Sequence, residues 1–95
     1  MSANNITVSA DVLVNVLEKI AENPEILDNL SMPNINFPTM GGEVMWNNLA
    51  VYKGWKIQQN TITHHCRILD PQNVRRAWGG LAAMDKIFKR LAESN

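Results

Sequence analysis

A single cysteine, Cys66, leaves this chain without any internal disulfide framework and fits a reducing compartment, so a cytoplasmic protein is expected. No stretch approaches the roughly 18 consecutive apolar residues that a membrane-spanning helix needs, and no membrane partner is expected. Met1-Ser2-Ala3-Asn4-Asn5 carries no positive charge ahead of an apolar segment, which argues against a secretory leader. No CxxC or HxxxH spacing is present to complete a metal site. Gly41-Gly42 and Gly79-Gly80 are isolated pairs that match neither a Walker loop nor a dinucleotide-binding turn. There is no internal repeat and no low-complexity tract.

What is present describes one small globular domain over residues 1–95. The hydrophobic fraction is 45% and the charged fraction 19%, enough for a single core and too apolar for wholesale disorder. Net charge is zero, yet the signs are segregated. The first 48 residues hold six acids and one base, and the remaining 47 hold eight bases and three acids. Either opposite faces compensate within one fold or the basic half meets a polyanion or an acidic partner.

Ser9 is placed as an N-cap, and Val12, Leu13, Val16, Leu17 and Ile20 then recur as one helical stripe. Residues 1–8 ahead of it read as a flexible terminus. Asn23-Pro24 restarts the chain into a second, short helix. Residues 31–42 are uncharged and punctuated by Pro33, Pro38, Gly41 and Gly42, yet carry Met32, Ile35, Phe37 and Met40. That composition predicts a long apolar loop across the core, or an arm reaching a partner. A turn of helix near 43–48 and a strand from 49 are expected next.

From Trp55 to Trp78 the period becomes two, interrupted at Asn60-Thr61 and at Asp70-Pro71-Gln72-Asn73. The expected strands place Ile62, His64, Cys66 and Ile68 on one face. Farther along, they place Val74, Arg76 and Trp78 opposite Arg75 and Ala77. Leu81, Met84, Ile87, Phe88 and Leu91 then return at helical spacing. The predicted class is α+β: N-terminal helices, a three- to four-stranded antiparallel meander, and a C-terminal helix packed on the sheet.

Chemistry is sparse. His64 and Cys66 share a strand face while His65 points away, so at most two of the triplet could meet one metal. Cys66 has no base beside it and follows no glycine elbow. No catalytic residue, metal or cofactor is expected, and the chain reads as non-enzymatic. A binding or accessory protein acting through protein–protein contacts, as a homodimer or on another protein, is the leading expectation. Five methionines, three tryptophans and the partner-binding candidates Met32, Ile35, Phe37 and Met40 motivate it. A small bacterial or mobile-element protein would fit. The alternative is RNA or DNA binding through a basic, tryptophan-containing sheet face built from Trp55, Lys56, Arg67, Arg75 and Arg76, with Lys89 and Arg90 at its edge. Arg67 and Arg75, expected near each other across the Asp70 turn, would seek an acidic partner such as Glu18, Glu22 or Glu25.

The order helix, strands, helix resembles that of the double-stranded-RNA-binding domain. Where that family starts its second helix with a lysine-rich stretch, this chain has Gly80-Leu81-Ala82-Ala83-Met84-Asp85-Lys86. No residue role carries over from the resemblance.

Overall fold

A computed structural model describes residues 6–29 and 46–93. Helix α1 runs Ala10–Glu22. Ser9 caps it, its Oγ accepting from the Val12 amide at 3.3 Å, and Asp11 sits in the first turn where negative charge favours the helix dipole. Pro24–Asn29 follows as a 3-10 helix, proline occupying the first position where a missing amide costs nothing. Strands β1 (Trp46–Tyr52), β2 (Trp55–Asn60), β3 (Cys66–Leu69) and β4 (Arg75–Gly79) form one antiparallel sheet in the order β1-β2-β3-β4. Helix α2, Leu81–Glu93, closes the chain. The α+β architecture expected from periodicity is the architecture observed, with four strands.

The strand register divides the sheet into two faces. Ala50 pairs with Ile57, Ile57 with Ile68, and Ile68 with Ala77. These four, with Trp55 and Cys66, join Leu13, Val16, Leu17 and Ile20 of α1 and Met84, Phe88 and Leu91 of α2 in one core. Both helices therefore cover the same side. At about 1.5–3 kcal/mol per large apolar side chain buried, this shared interior is the main force holding helices to sheet. Lys19 of α1 ties them further, its Nζ donating to the Leu91 and Ala92 carbonyls at 2.9 Å. Those carbonyls lie in the last turn of α2, where carbonyl groups take donors from beyond the helix's own ladder.

Asn48, Gln58, Arg67 and Trp78 pair in sequence across the four strands on the opposite face, with Trp46 opposite Asn60 and Arg75 opposite Leu69. None of the four strands among the described residues contains an aspartate or glutamate.

Three expectations need correction. Residues 46–48 are strand rather than helix, because β1 pairs with β2 from Trp46 onward. The strand expected from Ile62 begins at Cys66. Asn60 Oδ1 accepts from the Ile62 and Thr63 amides at 2.8 and 2.9 Å, and His64 takes a left-handed φ of 65°, so the turn consumes the intervening residues. Ile62 is left 66% exposed. Finally, β4 does not alternate as written. The register slips between Ile68 and Leu69, so Arg76 is the extra residue of a bulge and Arg75, not Arg76, shares the Trp78 face. Segment 31–42, with Met32, Ile35, Phe37 and Met40, lies outside the described residues, as do residues 1–5. Ile6 and Val8 pack against the core, and Thr7 binds Asp85.

Candidate nucleic-acid interface

Arg67 is the centre of the face that neither helix covers. Its guanidinium lies 3.9 Å from the centroid of the Trp46 ring, within cation–π range. Its Nε donates to Gln58 Oε1 at 2.8 Å, and Gln58 Nε2 in turn donates to Asn48 Oδ1 at 2.7 Å. The chain Asn48–Gln58–Arg67 crosses β1, β2 and β3 at one level of the register. It satisfies the buried polar atoms of Gln58 and fixes the plane of the guanidinium. No hydrogen bond of the Nη groups joins another described residue.

Arg75 lies on the other flank. Its guanidinium is 5.1 Å from the Trp78 ring centroid, and His65 packs tilted against the same indole at 5.7 Å. Arg75 and Trp78 reach one another because the bulge at Arg76 restores them to a common face. Trp46, Thr63, His65, Arg67, Arg75 and Trp78 line one pocket of about 180 Å3. None of these six carries a carboxylate. Burial lowers the pKa of both arginines, and at Arg67 the neighbouring charge of Arg75 lowers it further. Guanidinium remains protonated in proteins, so the pocket wall carries two positive charges.

The sequence candidates separate into three groups. Arg67 and Arg75 come together as expected. Lys56 shares their face but sits one step along the strands, its Nζ 3.2 Å from Asn73 Oδ1. Trp55 is core, on the helix side. Arg76 turns to that side as well, 3.7 Å from Asp70 Oδ2 and 5.9 Å from the Trp55 ring. Lys89 is on α2, paired with Asp85 at 3.4 Å, and Arg90 is an exposed residue of the same helix, so neither joins the site. Glu18 and Glu22 belong to α1, which packs on the opposite face, and no ion pair joins Arg67 to an acid among the described residues.

Trp46, Thr63, His65 and Gln58 belong to the site although no sequence signal marked them. An alternation read from Trp46 would have found Trp46 and Asn48 on one face. The bulge at Leu49 breaks that alternation before it reaches Ala50.

Cys66 and His64 do not make a reactive pair. Cys66 is fully buried, and burial, with the charge of Asp85 adding, pushes its thiol up to about 12. Its Sγ contact is with the His64 carbonyl at 3.9 Å, not with an imidazole. Among the described residues no three His, Cys, Asp or Glu side chains cluster as metal ligands, and no helix is long and apolar enough to cross a membrane. No protein-family model matches the chain, and no match was found among curated proteins or solved structures.

Proposed function

We propose that this protein is a non-enzymatic binding module whose sheet face opposite α1 and α2 takes single-stranded RNA. One observation carries the reading: two arginines and two tryptophans surround a single pocket on a sheet whose strands bear no acid. Guanidiniums bind phosphates, and unpaired bases supply planar groups that stack on indole or guanidinium. RNA is the stronger reading than DNA because its specific recognition is concentrated on such splayed single-stranded bases.

Protein–protein contact, through a homodimer or another partner, has less support among the described residues. The exposed large apolar side chains there are Val51 on β1 and Ile62 in the loop after β2.

Fluorescence anisotropy with a labelled 12-nucleotide single strand at about 50 mM salt tests the proposal. Binding is expected to weaken as salt rises. Arg75→Ala should reduce the log–log salt slope by about one phosphate contact. Lys89→Ala and Arg90→Ala should leave affinity unchanged, since α2 lies off the face. Absence of any binding by the native protein, or equal loss from the α2 and β4 variants, would refute this function.

A further inference from the structure

We infer that His65 is a phosphate contact of this pocket that operates when its imidazole is protonated, so that RNA binding tightens as pH falls. The inference rests on the RNA-binding reading and adds to it a residue and a means of regulation. Its basis is where His65 sits. The ring lines the pocket with Arg67 and Arg75 and packs against Trp78 at 5.7 Å. Backbone bonds fix its position. Its carbonyl accepts from the Asn60 amide at 2.8 Å, and its amide donates to the Thr63 hydroxyl at 3.3 Å. The left-handed φ of 65° at His64 turns the chain just before it, and the next side chain, Cys66, enters the core. His65 is half-buried, and no hydrogen bond joins its ring nitrogens to another described residue.

Histidine is the side chain whose charge changes between pH 5 and 8. The neutral ring offers one donor nitrogen and one acceptor, and the protonated ring offers two donors and a positive charge. A charge-assisted bond to a phosphate oxygen is roughly twice as strong as a neutral one. The charged groups lining the pocket with His65 are Arg67 from β3 and Arg75 from β4. Lys56 of β2 sits one step farther along the same face, at Asn73. Thr63 of the same loop and the indoles of Trp46 and Trp78 are uncharged. A bound phosphate brings negative charge beside the ring and favours the imidazolium. By linkage, the proton then raises affinity for the phosphate by the same factor as the phosphate raises affinity for the proton. His64 provides an internal comparison, because it carries the same titratable ring one residue away and does not line the pocket.

The test repeats the anisotropy titration at about pH 5.5 and about pH 8, with an all-uridine strand whose bases gain no proton over that range. The native protein is expected to bind about tenfold more tightly at the lower pH, the order of one charge-assisted contact. Its log–log salt slope there should be steeper by about one phosphate. His65→Gln should bind equally at both pH values, at the native affinity for the higher pH. His64→Asn, whose side chain tolerates the left-handed turn, should keep the native rise. A thermal melt at each pH checks that the variants fold, and the native comparison stands without them. Native affinity that ignores pH, a rise that persists in His65→Gln, or a rise lost in His64→Asn would overturn the role of His65 while leaving the RNA-binding reading in place. No binding at either pH would remove both.

Discussion

Neighbouring side chains in this protein meet opposite fates because of where the backbone points them. Cys66 and Arg67 are adjacent on β3. The first enters the helix-covered core and the second turns to the pocket. Burial denies the Cys66 thiolate the water it needs, which is why its pKa rises. The native protein at pH 8 should therefore resist iodoacetamide, with full labelling only in denaturant, followed by mass spectrometry. Rapid alkylation of the folded chain would contradict the burial. Residue type at Cys66 was legible as an inert strand cysteine. Gly54 acts through its backbone rather than a side chain. With Lys53 it forms a two-residue hairpin turn, φ 48° and 88°, and a Cβ at Gly54 would approach Pro71 to 3.0 Å.

The helices were the most legible elements. Their apolar stripes and the Ser9 cap are local properties, and the structure buries Leu13, Val16, Leu17 and Ile20 as the period requires. What periodicity misread was polar. Asp85 falls outside the apolar stripe of α2, yet it accepts from the Thr7 amide at 2.9 Å and the Thr7 hydroxyl at 2.8 Å. Partial burial opposes its ionisation, but Thr7 and Lys89 outweigh that and hold the carboxyl below its ordinary value of 3.8. Its folded-state pKa is thus depressed. Its contribution to stability is complete above the unfolded value and disappears as pH falls through the folded one. Chemical denaturation of the native chain and of Asp85→Asn should show a difference at pH 6 that shrinks below pH of about 4. A constant difference across that range would separate Asp85 from the titration. A contact between positions 7 and 85 leaves no trace in any local pattern.

The described residues are held by one interior to which α1, the 3-10 helix, α2 and all four strands contribute. Phe88, fully buried at its centre, should cost about 3–5 kcal/mol when changed to alanine. Tryptophan fluorescence and far-ultraviolet dichroism should agree with each other on the midpoint of the native protein, and again on the lower midpoint of the variant, because sheet and helices share that core. Separate midpoints would mean two independent units. The sequence by itself determined the order of the elements, both helix stripes, the Ser9 cap and the Asp70 turn, since each depends on residues close together in the chain. It did not determine which arginine faces which side. The bulges at Leu49 and Arg76 shift the two-residue period by one, and such a shift reverses every side chain beyond it. That choice belongs to the tertiary structure: it brings Arg75 beside Trp78, sends Arg76 to Asp70, and seats Arg67 over Trp46. Pairing between strands distant in sequence fixes it, and no local propensity encodes it.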